Sequence, residues 1–401
     1  MADDYPLLRE LLAPTPVPNF FDQYWPERYF HTHGRLERLP TVFRASELAN
    51  LHTLAARHAG PVTFGKGTLS PRTVEVQGVS AASLYDMGLT VHLSNVEHHL
   101  PAMAATLRQL EQELGLPAGC VRASVFASPQ ADGVSCHFDA EDVFSIQLRG
   151  SKRFHVAPVT ELRNPLGMQF GPRMPLFDDI YPQAAAGFPR PEDARFETVD
   201  MQPGSVLFMP RGTWHRTEAD TDSLAVSLIC APPSALECLL REMKYLLLQD
   251  PEWRRPLYGA RADGPLRAAA LARARQLLAR APAIVGKITE HDLVPRSETE
   301  RLQQLDRDSR FQRNPETRLE LAPLLRVVVW DQRGGEQTTL QAEVRSNHKP
   351  MLQWLADARG AFSAGELADR FPALSFADHR QVLEALARAR YLRLLWFRPL
   401  A

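Results

Sequence analysis

"HFDAEDVFSIQLRGSKRFHV", residues 137–156, decides how this chain is read. It opens with His137 and Asp139 two positions apart and continues as two apolar-rich runs separated by Arg149-Gly150-Ser151. On a β-strand, residues i and i+2 share a face and lie roughly 6.5–7 Å apart. His137 and Asp139 are therefore expected to point together, with Phe138 turned away. DVFSIQLRG and KRFHVAP then read as the two arms of a hairpin.

One imidazole and one carboxylate aimed at a common point lack a third ligand. His215, 76 positions after Asp139, closes "QPGSVLFMPRGTWH", residues 202–215, a Pro-Gly turn, an apolar strand and a Pro-x-Gly turn. In a double-stranded β-helix a late strand returns in this way beside an early one. A lone HxD occurs by chance in many chains, but HxD followed at this distance by PGxxxxxPxGxxH is far more specific. His137, Asp139 and His215 would form a facial triad suited to non-haem Fe(II), leaving positions open. Lys152 starts the second arm of the hairpin, where a buried cation could anchor the far end of a dicarboxylate. Arg149 and Arg153 are expected to face outward.

The rest of the chain frames this core. Its 401 residues suggest two or three domains, and 44% hydrophobic with 23% charged residues is ordinary for a globular protein. A net charge of −1 gives no bulk field for nucleic acid or membrane. No long apolar run reads as a membrane span, and the acidic start MADDYPLLRELL does not read as a secretion signal, so a cytoplasmic location is expected. Cys120, Cys136, Cys230 and Cys238 form no CxxC pair and are expected to be reduced; Cys136 should face away from His137.

Residues 101–116 read as an amphipathic helix opened by Pro101, and SELANLHTLAARHAG as a helical stretch. CVRASVFAS, SVLFMP and SLAVSLICA read as further strands, and the Pro/Asp/Gly-rich 161–200 as a long loop. After Pro232-Pro233 the chain becomes helical, then polar and linker-like over 296–318, then mixed, with a tight Arg333-Gly334-Gly335 turn and a terminal LRLLWF strand. The expected architecture is α+β: a double-stranded β-helix (jelly-roll) domain with N-terminal helical elements over 1–232, a helical region over 233–300, and a winged-helix-like domain over 301–401. Protein packing ranks ahead of DNA binding for the last of these.

HFDAEDVFSIQLRGSKRFHV together with QPGSVLFMPRGTWH resembles the JmjC-type 2-oxoglutarate oxygenases, and more narrowly the cupin-like ribosomal oxygenases. FFDQYWPERYF near the start is similar to that family's entry segment, so the likeness runs from about residue 17 to the end. It implies Fe(II) on His137, Asp139 and His215, 2-oxoglutarate as cosubstrate with its far carboxylate on Lys152, O₂ as oxidant, and hydroxylation of a side chain in a protein substrate such as a ribosomal protein. It also implies a homodimer through the 234–282 helices. Arginine-hydroxylating bacterial members tend to carry arginine at the Lys152 position, so lysine makes the chain look more like histidine- and asparagine-hydroxylating relatives. Relatives often place Asn and Tyr on the strand before HxD, where this chain has Ser124 and Phe126. Ser124 could donate a hydrogen bond to the cosubstrate and Phe126 cannot; Ser227 is a second candidate contact. Two rival readings stand beside this one: the same chemistry on a precursor peptide or small molecule, and a catalytically silent cupin-type binding module.

His31-x-His33 has ligand-like spacing but no third partner on a comparable strand and is read as surface or packing. His98-His99 cannot both face one metal if extended and sit just before a helix, where a cap or substrate-groove role is the alternative. His155 is out of phase with Lys152 and is expected to be structural. Trp214 could wall the pocket or cover one end of the roll, and Asp142 could orient a neighbour.

Overall fold

The structure is a computed structural model that describes residues 5–58, 60, 62–65, 78–159, 162–171, 179–184, 187–261, 263–294, 298–322, 324–330 and 336–395. The chain divides into two compact units, residues 1–232 and 233–401. The boundary expected at 300/301 falls inside the second.

The first unit carries twelve strands among its described residues: β1 (Phe30–Thr32), β2 (Val62–Gly65), β3 (Thr90–Leu93), β4 (Val121–Ser128), β5 (His137–Phe138) and β6 (Asp142–Arg149). These are followed by β7 (Lys152–Pro158), β8 (Gln169–Phe170), β9 (Glu197–Met201), β10 (Val206–Met209), β11 (Thr213–Ala219) and β12 (Ser223–Cys230). They form a seven-stranded sheet, β1-β10-β6-β12-β4-β3-β2, and a five-stranded sheet, β8-β5-β11-β7-β9, antiparallel throughout. Residues from both sheets line one cavity. This is the cupin-like roll expected from the sequence.

Burial explains why β6 and β12 read as nearly unbroken apolar runs. Phe144, Ile146, Val226 and Leu228 pack outward, in one core with Leu8, Leu11, Phe20 and Leu107 from the helices Pro6–Leu12, Val17–Gln23 and Pro101–Glu113. Val143, Ser145, Ala225, Ser227 and Ile229 alternate with them and line the cavity. Both faces of the sheet are therefore covered, which removes the need for polar alternation. Buried Glu113 accepts the Leu7 and Leu8 backbone N–H groups (2.9 and 2.8 Å), tying the first helix to the helix Pro101–Glu113.

Two readings of the first unit needed correction. The long loop of 161–200 contains β8, a short helix Ile180–Gln183 and the start of β9, with 172–178 outside the described residues. β9 alternates exposed and buried residues and pairs with β7, so its charges are simply its outer face. The helix expected around 46–60 is only Leu51–Ala55, capped by the Asn50 side chain at Thr53 N (2.8 Å).

The second unit begins with the helix Ala235–Leu248, started by a capping box between Ser234 and Glu237, and the helix Pro265–Val285. Its remainder contains the three-stranded sheet 362–363/310–313/392–395, a meander of 317–320, 325–330 and 336–342, and the helices Lys349–Asp357, Ala364–Arg370 and Phe376–Arg388. The supposed linker of 296–318 supplies the central strand of the first of these sheets. Only Phe311 of "RFQR" is fully buried, so the strand carries almost no apolar signal of its own. The Arg333-Gly334-Gly335 turn and the end of LRLLWF lie outside the described residues.

The β6–β7 turn needs glycine. Gly150 has φ +65°, and a Cβ there would run into the Asp222 carbonyl oxygen. Gly150→Ala is expected to destabilise the first unit by on the order of 2 kcal/mol, read as a lowered urea midpoint.

Candidate metal centre and cavity

The short strand β5 lies against β11 in register His137↔His215. This pairing sets the two imidazoles side by side, ring centroids 4.1 Å apart. Asp139, just beyond β5, sits between them: Oδ1 is 3.7 Å from His137 Nε2 and Oδ2 is 3.7 Å from His215 Nε2. One ligand atom from each of the three residues falls within 4.8 Å of the others. Both rings donate Nδ1–H to a backbone carbonyl two residues back, His137 to Ser135 (2.7 Å) and His215 to Thr213 (2.9 Å). Each bond fixes the tautomer with its lone pair on Nε2, the nitrogen facing Asp139. Two neutral imidazoles and one carboxylate on one side of a cavity form a His-Asp-His metal site, and the donor set fits a ferrous ion with coordination positions left open.

The loops carrying the ligands are joined to each other. Gly212 N donates to the Asp139 carbonyl at 2.9 Å. Asp142, buried at the start of β6, accepts from Arg211 N through Oδ1 and from Arg211 Nη2 through Oδ2, both at 3.0 Å. Asp142 thus orients the Pro210-Arg211-Gly212 turn that leads into His215. Phe138 points the opposite way and packs edge-on against Trp214 with centroids 4.8 Å apart. Trp214 therefore covers the outer face of the smaller sheet and does not wall the cavity, and partly buried Cys136 packs on the same side.

The cavity has a volume of about 790 Å³. Lys152 lines it and is 2% exposed, which rules out an edge lysine in solvent. Its strand, β7, neighbours β11 and His215; the strand carrying His137 is one further away, not adjacent as the hairpin suggested. Lys152 Nζ donates to Ser128 Oγ at 3.1 Å. Burial pulls the ammonium down to about 8 from its ordinary 10.5, with Asp132 pulling the other way. Arg153 does face outward, pairing with Glu218 and Asp220, and Arg149 is exposed.

Ser227 lines the cavity, paired across β12 with Ser145 on one side and Ser124 on the other. Ser124 itself is not among the lining residues; its hydroxyl is buried beside them with no hydrogen-bond partner. Sequence reasoning missed Ser145, Ser128, Asp132 and His92. Only the period-two spacing of Val143 and Ser145 signalled any of them. His92 stacks on Phe126, centroids 4.2 Å apart and planes 10° from parallel, making a flat wall where relatives were expected to place polar contacts. The remaining tempting histidines lie elsewhere: His33 binds Ser205 Oγ (3.0 Å), His155 binds Thr198 Oγ1 (3.1 Å), and His99 packs on His58.

Burial, reinforced by His137, pushes the His215 imidazole down to about 4, and burial does the same to His92. Unfolding returns both to an ordinary value near 6.5. Below that pH the unfolded chain takes up protons that the folded chain refuses until about pH 4. The metal-free protein is therefore expected to lose thermal stability steadily on acidification from about pH 6.5. A thermal midpoint unchanged from about pH 7 to pH 5 would contradict this.

Residues 105–238 match the family described as JmjC domain. The chain is 26% identical over 260 residues to the uncharacterized protein YxbC of Bacillus subtilis, covering 62% of this chain and 78% of that one. It is 25% identical over 226 residues to ribosomal oxygenase 1 of Homo sapiens, covering 53% of this chain and 32% of that one. It is 28% identical over 171 residues to the bifunctional lysine-specific demethylase and histidyl-hydroxylase NO66 of Drosophila willistoni, covering 41% of this chain and 20% of that one. The chain thus spans about a third or less of these two named relatives. The Escherichia coli ribosomal oxygenase YcfD aligns over 95% of this chain and 98% of its own, at 17% identity and a TM-score of 0.45. The segment that matches the JmjC domain family, residues 105–238, holds His137, Asp139, His215 and Lys152.

Proposed function

We propose that this protein is an Fe(II)- and 2-oxoglutarate-dependent hydroxylase acting on a side chain of a protein, with ribosomal proteins as the first substrates to test. The observation that carries the reading is the convergence of His137, Asp139 and His215 with a buried lysine on one cavity. The names of two matched relatives, ribosomal oxygenase and histidyl-hydroxylase, support the substrate class.

When bound, the metal and its diacid cosubstrate supply oxidative decarboxylation coupled to hydroxylation of a substrate C–H. The side chains place and shield that chemistry. His137 and His215 offer neutral nitrogen and Asp139 a carboxylate, so the ion keeps one net positive charge. Lys152 takes the far carboxylate, and an anion at this dry position holds the ammonium protonated through a pairing much stronger than in water. Ser227 and Ser145 offer hydroxyls from the opposite sheet, and Ser124 stands beside them with hydrogen-bonding capacity unused. Phe126 and Phe154 are apolar lining that limits water. The Arg122–Glu141 ion pair (3.1 Å) also lines the cavity, where a polar substrate backbone could be met.

We keep the winged-helix-like reading for 301–401, supported by three helices and a small antiparallel sheet among its described residues. A homodimer is also part of this reading. Leu236, Leu240 and Leu248 on one helix and Leu266, Leu271 and Leu278 on the other are each at least 45% exposed, an apolar surface that a second copy would cover. No helix among the described residues is long and apolar enough to cross a membrane, and the four cysteines are unpaired; we place the protein in the cytoplasm.

Purified protein with Fe(II) is expected to convert 2-oxoglutarate to succinate, and Lys152→Met to weaken cosubstrate binding by on the order of 100-fold. Proteomics on a strain lacking the protein should show a ribosomal protein that has lost one oxygen atom; no turnover together with no metal uptake would favour a silent binding module. Light scattering should give twice the monomer mass, and Leu240→Glu with Leu278→Glu should return a monomer.

A further inference from the structure

Lys152 does not meet an incoming anion alone. Asp132 lies in the connection between β4 and β5, 8% exposed. Its backbone carbonyl accepts the Ala219 N–H at 2.8 Å, and Ala219 is the register partner of Lys152 across β11 and β7. Its side-chain Oδ2 accepts both Thr90 N (3.2 Å) and Thr90 Oγ1 (2.9 Å) on β3 of the larger sheet. A buried carboxylate is thus fixed between the two sheets next to the lysine, at the end of β4 that carries its hydrogen-bond partner Ser128.

Other charges near Lys152 are placed differently. Arg153, Glu218 and Asp220 pair with one another on the outer face, and Asp200 lies opposite Arg153. Arg149 is exposed, and the metal triad belongs to β5, the residue beyond it and β11. Asp132 is the charged group that favours the ammonium against the cost of burial. Burying an ammonium with only a hydroxyl for company is expensive, and a nearby carboxylate lowers that cost.

We propose that Asp132 is a positioning residue for Lys152: it holds the lysine as an ammonium in the empty cavity and then shares that ammonium with the far carboxylate of the diacid. The proposal rests on the cavity being a diacid site, as argued above. It implies that the subsite trades some affinity for readiness, because two carboxylates compete for one cation once the diacid is in place.

Asp132→Asn tests this, since both Thr90 donors meet one oxygen that the amide can supply. The chain has only five lysines, so the Lys152 Cε resonance can be assigned and titrated by carbon NMR without metal or ligand. In the variant that titration is expected to move down by about 1 pH unit or more. Succinate, a non-reacting diacid, should bind the variant more tightly at about pH 6.5, and its affinity should fall off at correspondingly lower pH than with wild type. An unchanged Lys152 titration overturns the proposal, as does a loss of succinate affinity uniform across pH, which would mark a purely structural role. If wild-type protein binds neither succinate nor 2-oxoglutarate at any pH, the diacid reading fails and this proposal with it, an outcome distinct from the other two.

Discussion

The site depends on one cross-strand register. β5 is two residues long, and its pairing with β11 aligns His137 with His215. A slip of one residue would turn Phe138 into the cavity and a ligand onto the outer face. That register is held by Phe138 and Trp214 locking under the sheet and by Gly212 donating to Asp139. The apolar packing outside the roll and the polar chemistry inside it are thus two faces of the same residues.

The same division runs through the larger sheet. Its outer face is fused into the core of the N-terminal helices, where Phe20 packs against Phe30, Phe144 and Phe208. Its inner face carries Ser145, Ser227 and Ala225 together with His92, Phe126 and Arg122. Such a sheet has no freedom to twist away from the cavity, so small hydroxyls on it keep fixed positions relative to the imidazoles opposite. Rigidity is bought by burial on one side and used on the other.

Much of this was legible in the chain because the ligands sit at period-two positions and their flanking turns carry Gly and Pro. His137, Asp139, His215 and Lys152 could be picked out for that reason, and Ser227 from the parity of Ser223 and Ala225. Ser124, taken from the resemblance alone, lies directly opposite Ser227, its buried hydroxyl without a hydrogen-bond partner among the described residues. Asp132 and Thr90 could not have been found, since their meeting joins a loop and a strand 42 positions apart, with nothing local to mark it. The strand at 310–313 failed for another reason: its role comes from the two strands that flank it, and three of its own four residues are polar or charged.

The clamp of Asp142 on Arg211, with the Gly212 bond to Asp139, has an energetic meaning. The segment carrying the first two ligands and the segment carrying the third are fastened by the protein's own groups, and the imidazole rings are aimed by their own backbone. The conformational entropy of collecting distant donors is thus spent when the polypeptide folds, and little is left to be charged when an ion enters. Capture and release of the ion can then proceed without melting the roll, leaving the architecture indifferent to its cargo.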